Sequence, residues 1–184
     1  MHEASHLLQT AGDGPPEPFR YRQDAAISRL FESTQSCIEC FAFAAHLTGS
    51  LARGRSFRVR EKVLRNVHLN GVARGFLIDW PGELLSSELD RLARSKRFAR
   101  LTLFRNVTSH RGIPPRSFYL SVGADSDRPP EWNAPKLRTS RAFPLELDEA
   151  TLSDWFTWLS DQLSVLVPAH CAFCESHLPG KGTI

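Results

Sequence analysis

Three residues just past the middle of the chain, Arg105, Asn106 and His110, have the types and spacing to act on a phosphodiester. A neutral imidazole, with an ordinary pKa near about 6.5, can take a proton from a ribose 2′-hydroxyl or return one to the leaving oxygen. A guanidinium forks onto two phosphate oxygens and keeps its charge throughout. The asparagine amide can orient either group or hydrogen-bond the phosphate itself. RNA cleavage by its own 2′-hydroxyl needs such a base, and a cation on the crowded phosphorane. Asn106 and His110 are one helical turn apart and so share a face. Arg105 and His110 are about 140° apart on an ideal helix. They converge where the helix end loosens, or where a second subunit brings another copy. The alternative is structural: cationic Arg and His favour the negative end of a helix dipole.

The surroundings are basic. Arg91, Arg94, Lys96, Arg97, Arg100, Arg105, Arg111 and Arg116 follow one another with no acid between them, and Arg53, Arg55, Arg58, Arg60, Lys62 and Arg65 form an earlier run broken only by Glu61. The net charge is only +3, so distribution rather than total points to a polyanion such as RNA, with Arg97, Arg100, Arg111 and Arg116 as candidate phosphate contacts. The competing explanation is two solvated helix faces answering an acidic neighbour.

The elements that must position these residues read as helices. Ile27, Leu30, Phe31, Thr34, Cys37, Ile38, Phe41, Ala45 and Thr48 recur at helical spacing and predict a helix from about Asp24 to Leu51, its end bracketed by Gly49 and Gly54. A second helix is expected from about Phe57 to Ile78, stopped by Trp80-Pro81-Gly82, and a third from about Glu83 to Thr108, with a phase slip near Ser95. Gly112 and Pro114-Pro115 end the third helix. A last helix starts near Asp148, where Asp148 or Thr151 can cap it. It buries Leu152, Trp155, Phe156, Leu159, Leu163 and Leu166, is kinked by Pro168, and continues to Leu178. The proline-rich stretch 112–147 is a long crossover, with a short extended piece expected at Ser117 to Val122. The expected fold is therefore all-α, a bundle of about four main helices, with a flexible leader over 1–22, a helical domain over 23–179 and a tail over 180–184.

An arginine, a polar residue, then a histidine five places on, at the end of an apolar helix (Leu101-Thr-Leu-Phe-Arg105-Asn106-Val-Thr-Ser-His110), resembles the Arg-x4–6-His motif of the HEPN superfamily. That resemblance implies a helical bundle, often dimeric, in which two motifs meet across a dimer cleft. It implies metal-independent ribonuclease activity without a cofactor, with His110 as general base or acid, Arg105 on the phosphate and Asn106 orienting them. Relatives of this kind serve as stress, toxin or antiviral effectors, so an antitoxin or defence partner is implied as well. The alternative within the same fold is a non-catalytic module that grips nucleic acid or protein.

The four cysteines form two pairs, Cys37-Ile-Glu-Cys40 and Cys171-Ala-Phe-Cys174. Together they have the donor set of a tetrahedral thiolate zinc site, which would make the chain a zinc-stapled interaction protein. Both Cys37 and Cys40 fall inside the first predicted helix, however, where burial as small apolar residues is the plainer role. Arg65-Asn66-Val67-His68 echoes the catalytic motif but with its histidine too early, and reads as helix surface. His46 has no partner at ligand spacing. Trp155 and Trp158 read as core and rim. There is no glycine-rich phosphate loop, serine elbow or His-Glu-x-x-His. No apolar run approaches the roughly 20 residues of a membrane helix and no secretion signal opens the chain, so a cytoplasmic protein is expected.

Overall fold

The computed structural model describes residues 17–111, 116–117, 131–133, 144–146 and 148–178, with the backbone alone for 17–20, 109–111 and the strand residues. The fold is all-α, as the periodicity predicts. Its helices are α1 (Glu17–Leu51), α2 (Glu61–Leu64), α3 (Leu69–Asp79), α4 (Leu84–Ala93), α5 (Lys96–Arg111) and α6 (Glu149–His177). Within the crossover, β1 (Arg116–Ser117), β2 (Glu131–Asn133) and β3 (Pro144–Glu146) pair as a small antiparallel ladder in the order β1-β2-β3. Arg116 lies opposite Trp132, and Trp132 opposite Leu145. The extended piece foreseen at Ser117 to Val122 thus overlaps β1 at Ser117, and its remainder lies outside the described residues. Among the described residues no helix is long and apolar enough to cross a membrane.

The described residues pack as two compact units. One comprises those of Met1–Thr34 and Arg100–Trp158, the other those of Gln35–Ala99 and Leu159–Ile184. In the first, Phe31 of α1 is the hub. It stacks on Phe104 of α5 (centroids 5.5 Å apart, 27° between planes) and meets Trp155 of α6 edge-on at 5.3 Å. Ile27, Leu101, Val107 and Leu152 of the same unit are buried as well. Each such side chain contributes on the order of 1.5–3 kcal/mol by leaving water. Trp158 contacts the buried Trp155 at 5.7 Å from a half-buried position, matching the core-and-rim reading. Phe156, predicted to be buried, is instead 45% exposed, because it falls one residue past the inward stripe of Leu152 and Trp155.

In the second unit the hub is Phe57. Its ring meets His46, Phe76 and Trp80 at 5.4, 4.9 and 5.7 Å, and Phe76 and Trp80 in turn hold Phe173 of α6 at 5.1 and 4.9 Å. Such close approach is open only to glycine: a Cβ on Gly49, Gly54 or Gly75 would come within 2.8, 2.8 and 2.7 Å of the Phe57 ring. The chain reaches that position by ending α1 in a Schellman turn. The Gly54 amide donates to the Gly49 carbonyl (2.9 Å) and the Arg53 amide to Ser50 (3.0 Å), with Arg53 in the left-handed region at φ 60°.

Several boundaries follow from local chemistry. Ser95 Oγ accepts from the Phe98 amide (3.0 Å), starting α5 at the foreseen phase slip. Asp148 Oδ1 accepts from the Thr151 amide (2.7 Å) and starts α6. Ser86 Oγ donates to the Trp80 carbonyl (2.6 Å), securing the Trp80-Pro81-Gly82 turn. Other boundaries depart from expectation. α1 begins at Glu17 rather than Asp24, with Pro18 in the first turn, where its missing amide hydrogen costs nothing. The single helix predicted over Phe57 to Ile78 is broken. Phe57 to Arg60 is not helical, and α2 and α3 are separated at Arg65 to His68. The Asn66 amide group donates to the Lys62 carbonyl (2.7 Å), closing α2, and the Glu39 carboxylate accepts from the Leu69 amide (3.1 Å), starting α3 afresh. α6 stays helical on both sides of Pro168.

The Phe57 cradle sets a test. Gly75→Ala gains up to about 1 kcal/mol of helix propensity but forces a methyl into a ring that cannot yield, at a cost of about 1–3 kcal/mol. Chemical denaturation should show a net loss of about 1–2 kcal/mol. Gly82→Ala, whose Cβ meets nothing within 4 Å, should stay within about 0.5 kcal/mol of the parent.

Candidate functional site

α5 carries the predicted site, held by the buried side chains of Phe98, Leu101, Phe104 and Val107. Arg105 sits one turn beyond Leu101, at the edge of that apolar stripe, while Asn106 points about 100° further round. Both are half-buried. Arg105 Nη1 donates to Asn106 Oδ1 at 3.2 Å, and Thr108 Oγ1 donates to the Arg105 carbonyl at 3.0 Å. The guanidinium is thereby drawn from the apolar edge toward the Asn106 side of the helix. One of its five N–H donors is used in doing so. α5 runs to Arg111, so the backbone of His110 occupies a helical position one turn beyond Asn106, about 40° from it in projection. The side chains of His110, Arg111 and Arg116 lie outside the described residues; Arg116 belongs to β1 and Arg111 closes α5.

Charge is organised differently from its sequence order. Arg91 donates to Glu88 (2.7 Å) and Arg94 to Asp90 (2.8 Å), each acid one turn earlier and just outside the acid-free run. Those two arginines are answered locally, as solvated helix faces are. Arg97 and Arg100, further along α5, are half-buried. In the earlier run, Arg53, Arg55, Arg58, Arg60, Lys62 and Arg65 are all exposed, and Arg65 pairs with Glu61. The Arg65-Asn66-Val67-His68 echo is not the helix surface predicted for it. It spans the α2–α3 break, where His68 Nδ1 lies 2.8 Å from the Asn66 carbonyl.

The cysteines correct an expectation too. Cys40 and Cys171 are exposed and Cys37 and Cys174 half-buried, so none is core. Among the described residues no group of three or more His, Cys, Asp or Glu is placed to hold a metal, so the four thiols do not converge on a zinc cage. Within the second unit, Phe173 packs beside the rings that flank Phe57, and Phe57 lies against Gly49. Cys37 is twelve residues back from Gly49 along α1, about 18 Å of helix rise.

Two histidine sites of the second unit were not legible in the sequence. His177 Nε2 lies 2.9 Å from Glu83 Oε1, with its ring against Phe173 and Trp80; the partners are 94 residues apart, beyond any local pattern. His170 Nε2 lies 2.8 Å from Thr48 Oγ1, and the ring meets Phe41 edge-on at 5.5 Å. Thr48 spends its only hydroxyl hydrogen on the Ala44 carbonyl (3.0 Å). It must therefore accept from His170, which fixes the neutral imidazole with its proton on Nε2. Buried His46 likewise donates from Nε2 to the Arg58 carbonyl (3.3 Å). Compared with protein-family models, with curated proteins and with solved structures, the chain matches none.

Burial holds the His170 pKa below its ordinary 6.5. The unfolded chain then binds the extra proton first as pH falls, so the stability contributed by neutral His170 is present above 6.5 and lost on acidification below it. Thermal melts between about pH 7.5 and 5 should show the parent losing more stability than His170→Gln, whose amide can still donate to Thr48. Parallel curves would deny His170 that role.

Proposed function

We propose that this protein is a metal-independent endoribonuclease of the HEPN type, cleaving RNA by attack of its own 2′-hydroxyl. The observation that carries the reading is the Arg105–Asn106 hydrogen bond, which aims a half-buried guanidinium toward the sector of α5 that His110 occupies. His110 takes the 2′-hydroxyl proton as the new O–P bond forms. The P–O5′ bond breaks as the leaving oxygen is protonated, by the same imidazole or by its copy in a second subunit. Arg105 binds the phosphate and stabilises the charge gathering on its oxygens. Arg97, Arg100, Arg111 and Arg116 hold flanking phosphates. The site works as a homodimer in which two motifs share one basic cleft, in a toxin or antiviral setting with an antitoxin or defence partner.

The test is cleavage of a labelled RNA in EDTA. His110→Ala should lower the rate by about 10²–10⁴-fold with unchanged helicity, and Arg105→Lys should also lose activity because an ammonium cannot fork onto two oxygens. Arg97→Ala should instead weaken binding and reduce the slope of affinity against salt by about one contact. Wild-type protein that binds RNA without cutting it would make the chain a binding module, and cleavage that survives His110→Ala would end the assignment.

A further inference from the structure

The phosphate chemistry leaves both cysteine pairs unused, and the structure places each on a helix with access to solvent. Cys37 and Cys40 lie inside α1, Cys171 and Cys174 inside α6. All four are free thiols, and in each pair one is exposed and the other half-buried. Residues three apart on an α-helix are neighbours, with Cβ atoms about 5–6 Å apart. A disulfide needs about 3.5–4.5 Å between its Cβ atoms, so closing either pair would draw the two turns together by about 1–2 Å against the helix hydrogen bonds. A bridging cation asks less of the backbone. Taking the zinc–thiolate distance of about 2.3 Å as the guide, two thiolates in a linear arrangement stand about 4.6 Å apart, a span close to the Cβ separation of about 5–6 Å for residues three apart on a helix.

The same geometry selects among cations. Zinc in structural sites takes four ligands in a tetrahedron, and neither pair belongs to a group of three or more potential ligands among the described residues. Thiolates favour soft ions, and monovalent copper is the soft ion that accepts so few of them. We propose that Cys37/Cys40 and Cys171/Cys174 are two separate two-thiolate sites for monovalent copper, so that one chain holds two ions. Each binding event releases two thiol protons and forms two Cu–S bonds, with no change in oxidation state.

The experiment is an anaerobic titration of the reduced, full-length protein with Cu(I) in acetonitrile, in competition with a chromophoric Cu(I) chelator, with helicity followed in parallel. The parent should take up two equivalents. Cys37→Ser/Cys40→Ser and Cys171→Ser/Cys174→Ser should each take up one, and the fourfold variant none. Cys40→Ser alone, a change at an exposed position, should cost one full equivalent, because one thiolate does not make the site. The proposal fails if the parent binds fewer than two ions, if either double variant loses both, or if Cys40→Ser keeps the full uptake.

Discussion

The packing of one ring against three glycines governs the second unit. Phe57 is 4% exposed, and it reaches that depth because Gly49, Gly54 and Gly75 present no Cβ to it. The turn that delivers it puts Arg53 in the left-handed region, which costs an L-residue about 1–2 kcal/mol. Burial of the ring offsets this with about 1.5–3 kcal/mol. The rest of the unit follows from the ring. His46 and Trp80 pack on it, Trp80 and Phe76 receive Phe173, and Phe173 with Trp80 positions the imidazole of His177 beside Glu83. A helix running straight through Phe57 would put that side chain on a continuing helical surface instead of in the cradle, which is why the second predicted helix gives way.

What was readable in the sequence divides along physical lines. Several local determinants could be seen in advance: the phase slip near Ser95, Asp148 capping α6, Gly49 and Gly54 framing the end of α1, and the inward stripes of Phe31, Leu101 and Trp155. What escaped depends on partners far along the chain. The α2–α3 break rests on Glu39, thirty residues before the amide it accepts from. The tautomer of His170 rests on Thr48, 122 residues away. Charge runs misled for a related reason. Counting acids inside the run overlooks Glu88 and Asp90, which stand one turn outside it and still reach Arg91 and Arg94. At the candidate site, the types and spacing of Arg105 and Asn106 were legible, but their direct bond was not, since adjacent helix positions point about 100° apart. Only a long, flexible side chain bent back along the helix closes that gap.

The position of Arg105 explains why such a bond is useful. Its Cα lies at the flank of the stripe that anchors α5, where the methylene stem can cover apolar surface while the charged head turns outward. A charge-assisted hydrogen bond contributes about 1.5–3 kcal/mol when buried, and less at a half-buried site such as this. That is small beside the combined burial of Phe98, Leu101, Phe104 and Val107, so the Arg105–Asn106 bond orients the guanidinium without holding the helix in place. The distinction matters for chemistry. A group that binds a phosphate must be pre-set in direction, because each immobilised, rotamer-rich side chain costs about 0.5–1.5 kcal/mol on binding. Under the proposed function, Asn106 takes on part of that cost in the folded protein before a phosphate is bound. The fold supplies a rigid helix, the helix fixes where Arg105 begins, and a single neighbouring amide fixes where its charge ends.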